Sequence, residues 1–215
     1  MCARLRLLYN QKKLEKLLGS ISILDQLISN ANTAPTEKAV IVASSDGEVK
    51  ARQANFGLYP SWLDKHSSSA KFCNARLETV EEKPTFKEAF AKRHCLIPAN
   101  GFYEWREENG QKQPYLFQRQ DSKLIMLAGL WEARMDNNVP VYSFTILTTK
   151  PNSFMSEYHN RMPVIMKDEN LHSWLENKAD KSLLETMPLE NLEAIQVSTK
   201  VNTPKTKNVE MIDRI

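Results

Sequence analysis

The sequence predicts an α+β fold, a mainly antiparallel sheet curled into a barrel-like or sandwich core and flanked by short helices. Two observations carry this expectation. Long stretches of strand-like alternation recur between Lys38 and Thr149, joined by short turns at Asp46-Gly47, Asn109-Gly110 and Asp136-Asn137-Asn138. Strands pair with their neighbours without the regular βα alternation that a parallel sheet would need.

Each element follows in order. Between Gln11 and Ile28, Leu14, Leu17, Leu18, Ile21, Leu24 and Leu27 recur at mostly helical spacing, which predicts one or two amphipathic helices with Lys12, Lys13 and Lys16 on the polar side. AVIVAS and EVKARQANFG flank Asp46-Gly47 and read as a hairpin closed by a type I′ turn; GFYEWRE and QPYLFQR flank Asn109-Gly110 in the same way. KLIMLAGLWEARM and VPVYSFTILTT follow as two longer strands. KPTFKEAFAKR, with Pro84 near its start and Phe86, Ala89 and Phe90 on one face, is a helix. Further helices are expected over Glu169 to Glu176 and Lys181 to Met187, and EAIQVST as a strand. A single domain over residues 1–215 is the simplest organisation. Only six residues are glycine: Gly47 and Gly110 serve turns, whereas Gly57, Gly101 and Gly129 lie inside strand-like segments, where a bulge or a close approach is expected.

Composition narrows the function classes. The chain has 215 residues, 41% hydrophobic and 26% charged, enough to bury a core. Its longest apolar stretch, Leu124 to Trp131, falls far below the ~18 residues of a membrane span, and the first thirty residues lack a secretory h-region, so a cytoplasmic protein with no membrane partner is expected. Cys2, Cys73 and Cys95 are odd in number and widely spaced, which offers neither a disulfide framework nor a zinc site; no metal or cofactor is expected. A net charge of +3 is too small to argue nucleic-acid binding by itself.

Cys2 is the most informative position. Methionine excision generally proceeds when the second side chain is small, and it would leave an amine and a thiol on adjacent carbons, a 1,2-aminothiol. Reference pKa values of about 7.7–8.0 for the amine and about 8.5 for the thiol leave a useful nucleophilic fraction of each near neutrality. Such a pair can trap an aldehyde, the amine forming an imine and the sulfur closing a thiazolidine. Alternatively the terminus acts as an N-terminal nucleophile with its own amine as base, or it is a chain end with no role.

Seven motifs decide among these. MCAR at the start, NTAPT (32–36), FGLYPSW (56–62), NARLET (74–79), RHCLIPANGFYEW (93–105), AGLWE (128–132) and YHNRMPVIM (158–166) occur over most of the chain, and VSTKVN lies near its end. Together they resemble the SOS-response-associated peptidase (SRAP) family. The resemblance implies a protein that senses abasic sites in single-stranded DNA and links to them covalently through Cys2, with peptidase activity confined to release of Met1 and weak strand cleavage where ring closure fails. The ring-opened abasic sugar carries the aldehyde that a 1,2-aminothiol captures.

Site residues carry over position by position. Asn74 offers an amide to orient the terminus or the sugar, and Arg76 a fork for phosphate. In GFYEW, alternation places Phe102, Glu104 and Arg106 on one face, so Glu104 is expected to be partly desolvated and to shuttle protons. His159 suits proton donation to the sugar oxygen, and Arg161 phosphate binding. Arg4, Asn32, Pro35 and Trp62 match groove-lining positions, with Trp62 as a stacking platform or a core residue. His66, His94 and His172 are read as structural or exposed, and Cys73 and Cys95 as small hydrophobes. The sequence departs from the family pattern at Ala3, Phe56, His94 and Asn100, none of which removes a group the chemistry needs. A monomer acting on single-stranded DNA with abasic sites is the leading reading; the alternatives are a cysteine peptidase acting on other proteins and a non-catalytic single-strand binding module.

Overall fold

The computed structural model describes residues 2–60, 62, 72–177, 180–184 and 191–213. In chain order the elements are β1 (Leu5–Leu7), α1 (Gln11–Leu18), β2 (Ser22–Ile23), β3 (Asn30–Thr33), β4 (Lys38–Ser45), β5 (Glu48–Phe56), β6 (Asn74–Arg76), α2 (Pro84–Lys92), β7 (His94–Ala99), β8 (Gly101–Glu108), β9 (Gln111–Arg119), β10 (Ile125–Asp136), β11 (Val139–Thr149), α3 (Ser153–Ser156), β12 (Met162–Pro163), α4 (Leu171–Leu175), β13 (Leu192–Gln196) and α5 (Val209–Asp213).

Hairpin chemistry shapes the sheets. Asp46 and Gly47, Asn109 and Gly110, and Asn137 and Asn138 all have positive φ, the geometry of two-residue turns whose twist matches the flanking strands. The third turn is therefore one residue shorter than its sequence suggests, Asp136 being the last residue of β10. β4 pairs with β5, β4 with β7, β7 with β10, and β10 with β11, all antiparallel. A parallel pairing of β5 with β11, Ser143 beside Asn55 and Phe144 beside Phe56, then closes these five strands into a barrel. The other sheet, in the order β13-β9-β8-β1-β3, is antiparallel throughout. The α+β, barrel-like expectation thus describes the chain.

One contiguous apolar cluster spans the barrel and the inner face of the five-stranded sheet, where Phe56 stacks on Phe144 and Phe102 on Phe117 with centroids 5.0 and 5.1 Å apart. On the other face of that sheet Tyr103 and Leu116 pack with Val197, Val201 and Ile212 of the C-terminal segment. Gly129 is required by close packing: a Cβ there would lie 2.3 Å from Ile97 Cδ1 and 2.7 Å from the Thr145 carbonyl oxygen. Gly101 is similarly confined, 2.4 Å from the Phe117 carbonyl oxygen.

Two helical expectations are corrected. The helix from Gln11 stops at Leu18 because Gly19 takes φ +73° and returns its N–H to the Glu15 carbonyl at 2.9 Å, after which Ser22–Ile23 forms a short strand parallel to β5. The Lys181 to Met187 expectation is met only by a 3₁₀ turn over Lys181–Leu184, its remainder lying outside the described residues, as does His66. Among the described residues no helix is long and apolar enough to cross a membrane, and no group of three His, Cys, Asp or Glu is placed to hold a metal ion.

Candidate active site

β1 brings the start of the chain into the fold. It lies between β3 and β8, with Leu5 opposite both Thr33 and Phe102, and the Tyr103 N–H donates to the Arg4 carbonyl at 3.0 Å. Cys2 is thereby fully buried. Asn74 opens β6, which pairs in parallel with β11, and its Nδ2 donates to the carbonyls of Cys2 and Cys73 at 2.8 and 2.7 Å. The Asn74 Oδ1 atom is buried without a hydrogen-bond partner among the described residues. An unpaired buried acceptor costs about 1–3 kcal/mol, so a donor that reached this oxygen would recover that cost.

Electrostatics link Cys2 to Glu104. Burial pushes the Cys2 thiol well above its ordinary range, and the Glu104 charge pushes it further. Glu104 is itself 2% exposed, and burial raises its carboxyl pKa while the charge of His159 pulls it back. The alternation read from GFYEW holds: Phe102 joins the main core, whereas Tyr103 lies in the cluster on the opposite face. His159 is half-buried after α3, and its Nδ1 accepts the Arg161 backbone N–H at 3.0 Å. The same nitrogen lies 3.2 Å from the Arg161 carbonyl, so it accepts the N–H when bare and faces the carbonyl when protonated.

Arg161 adopts a different setting from the one its motif suggests. Its guanidinium grips Glu78 through two contacts, of 2.7 and 2.9 Å, and donates to the Thr148 carbonyl at 2.7 Å. A phosphate at this fork would therefore compete with a resident carboxylate. Glu78 was not singled out from sequence, although it stands within NARLET, two residues beyond Arg76. Arg76 itself is exposed on β6 and makes no side-chain hydrogen bond or ion pair among the described residues.

The groove-lining assignments divide. Asn32 is fully buried, which corrects its placement on a DNA-lining surface: its Nδ2 is shared among the carbonyls of Val201, Thr203 and Thr206 at 2.9–3.1 Å, and its Oδ1 accepts from Arg4. β3 is covered by the C-terminal segment, leaving this amide no route to solvent. Arg4 is half-buried and also donates to the Val201 carbonyl at 2.6 Å, with its guanidinium 5.6 Å from the Trp105 ring centroid. Pro35 is half-buried just after β3, beside Thr36, whose φ of 76° turns the chain. Trp62 is 61% exposed, which removes the core reading and leaves a solvent-facing ring. Cys73 and Cys95 are buried, as expected, but Cys73 lies close enough to raise the Cys2 pKa slightly. His94 is buried and stacked on Trp174, Asn100 Oδ1 accepts the Leu8 N–H, and Phe56 is a core ring, so these departures from the motif are absorbed by packing.

Fold and site together define a class: a small barrel-containing α+β domain in which a buried cysteine at the chain's start has its carbonyl held by an Asn and its thiol in the field of a buried Glu, which a His influences in turn. The chain belongs to the SOS response associated peptidase (SRAP) family, whose model matches residues 1–204. It is 36% identical over 189 residues to the abasic site processing protein YoqW of Bacillus subtilis (strain 168), covering 85% of this chain and 84% of that one. It is 32% identical over 187 residues to the abasic site processing protein HMCES of Xenopus tropicalis, covering 74% of this chain and 56% of the longer relative. Among solved structures, a protein of Bacteroides thetaiotaomicron superposes with a TM-score of 0.86 at 25% identity over the full length of both chains. One of Bordetella bronchiseptica gives 0.79 at 26% identity, covering 92% of this chain and all of that one.

Proposed function

We propose that this protein processes abasic sites in single-stranded DNA by capturing them covalently at Cys2 after removal of Met1. The observation that carries the reading is the burial of Cys2 against Asn74 and Glu104, supported by the names of the relatives. Hydrolysis of the Met1–Cys2 bond would consume one water and expose the Cys2 amine, with Glu104 moving the protons. The freed amine attacks the aldehyde carbon of the ring-opened sugar to give a carbinolamine, which loses water to form an imine. The Cys2 sulfur then adds to the imine carbon while its proton passes to nitrogen, closing a thiazolidine. The amine acts first because burial keeps the thiol protonated.

Each neighbour has a part in this scheme. Glu104, whose carboxyl pKa burial raises, gives and retrieves protons at the carbinolamine and during ring closure. His159, held after α3 by its contacts to the Arg161 backbone, donates a proton to the sugar oxygen as the ring opens. Asn74 orients the Cys2 backbone and offers Oδ1 to the new amine. Arg76 and Trp62 supply phosphate contact and stacking. Peptidase action is confined to Met1, and strand cleavage arises only from an imine that fails to close.

The test uses purified protein whose terminal residue has been read by mass spectrometry, mixed with single-stranded DNA carrying one abasic site. A denaturant-resistant adduct that vanishes in Cys2→Ala is expected. An intact lesion-bearing strand with no adduct overturns the proposal.

A further inference from the structure

The strand register places two cations where a barrel normally holds apolar side chains. β4 and β5 pair without a bulge, Ile41 opposite Arg52 and Ala43 opposite Lys50. Period-two alternation therefore puts Lys50 and Arg52 on the same face of β5 as Phe56, which stacks on Phe144 inside the barrel. β10 and β11 supply Trp131 and Tyr142 to the same end of the barrel. These side chains line a cavity of about 190 Å³ at the barrel mouth, with Ile41 and Ala43 among its other walls.

Arg52 is the anomaly. Its guanidinium carbon sits 3.9 Å from the centroid of the Tyr142 ring, yet the group makes no side-chain hydrogen bond or ion pair among the described residues. Lys50 is only loosely held, 3.5 Å from the carboxylates of Asp46 and Glu48, which are 86% and 65% exposed. A planar fork laid on one ring and left without an acceptor suits a phosphate, and its own plane or the Trp131 ring suits a stacked base. The cavity is smaller than the ~300–1,000 Å³ of common ligand sites, which limits its content to one base with the phosphate at the rim.

We propose that this barrel mouth is a binding site for a single nucleotide, with Arg52 and Lys50 on the phosphate and Trp131 beside the base. Its source is either a free mononucleotide or one unpaired nucleotide of a DNA strand. The proposal does not depend on the chemistry at Cys2.

The experiment titrates deoxyadenosine 5′-monophosphate into the full-length protein and follows tryptophan fluorescence and calorimetric heat. Saturable binding is expected, weakened roughly tenfold or more by Arg52→Ala, in line with losing a charge-assisted fork. Deoxyadenosine without phosphate should bind as weakly as that variant binds the nucleotide. Lys50→Ala, a smaller loss, gives a second reading should Arg52→Ala fold poorly, and it too should weaken binding. Undamaged oligothymidine added to the nucleotide complex distinguishes the sources: displacement assigns the site to a strand end or bulge, and persistence assigns it to the free nucleotide. No saturable binding at millimolar nucleotide, or binding indifferent to both substitutions, overturns the proposal.

Discussion

Arg161 and Glu78 meet in a two-pronged contact, Nη1 to Oε1 at 2.7 Å and Nη2 to Oε2 at 2.9 Å, with Thr148 bracing the same guanidinium from the barrel side. The carboxylate occupies both prongs of the fork, and the pairing keeps the Glu78 pKa below its usual range. Glu78→Gln should release the fork. Affinity for undamaged single-stranded DNA is expected to rise several-fold at low salt, and the slope of log K against log salt to steepen by about 0.7. Equal affinity and slope in fluorescence-anisotropy titrations would assign the pair to structure alone.

The charge of Glu104 should displace the titration of Cys2. Burial is the larger cause of its raised pKa and the Glu104 carboxylate the next. Glu104→Gln removes the second and leaves the first, so thiolate formation should move to lower pH while staying above the ordinary thiol range. Alkylation of Cys2, quantified by peptide mass spectrometry across a pH series, measures this; a profile moved upward, or left in place, contradicts the coupling.

His94 makes stability depend on acid. Its ring stacks on Trp174 with centroids 3.7 Å apart, and its two nitrogens face the carbonyls of Trp174 and Phe90 at 3.0 and 2.6 Å. Burial lowers its pKa and outweighs the two carbonyls, which raise it. The folded pKa is depressed, so the unfolded chain takes up the proton first as pH falls. Stability should therefore be full above the ordinary histidine pKa of ~6.5 and fall as pH drops from there through the folded value. Urea unfolding at pH 7.5 and 5.0 tests this, and His94→Phe should flatten the difference between the two.

Asn32 holds the C-terminal segment. Asn32→Ala would strand the Thr206 carbonyl and leave the Val201 carbonyl to Arg4 and the Thr203 carbonyl to the Thr206 N–H alone, at a cost of about 1–3 kcal/mol. A lower unfolding midpoint with faster amide exchange over 198–213 is expected. Unchanged exchange there would show that Lys207, bound to Glu37, and Arg6, bound to Asp213, suffice to hold it.

Local signals carried much of the fold. Asp-Gly and Asn-Gly turns with alternating flanks define hairpins because turn geometry and strand twist are set by nearest neighbours. The helix from Gln11 was legible for the same reason, but its end was not: the spacing of Ile21, Leu24 and Leu27 beyond Gly19 continues the helical pattern, and pairing of Ser22–Ile23 with β5 decided for a strand. Within the site, Cys2 could be named from its position and its thiol chemistry, and Asn74, Glu104 and His159 from their places in motifs that resemble the family's. Asn32 could not be told from a loop amide, and Glu78 had no signal beyond its place in a motif.

What the sequence determined by itself was the strand and turn order, the membership of residues in faces, and the set of reactive groups, all properties of short spans of chain. What only the tertiary structure decided was partnership. Closure of β5 onto β11, the seating of Cys2 against Asn74 and Glu104, the capture of Arg161 by Glu78 and of Asn32 by the C-terminal segment join residues far apart in the chain. Burial also sets the protonation of Cys2, Glu104 and His94, because desolvation depends on everything packed around a group rather than on its neighbours in sequence.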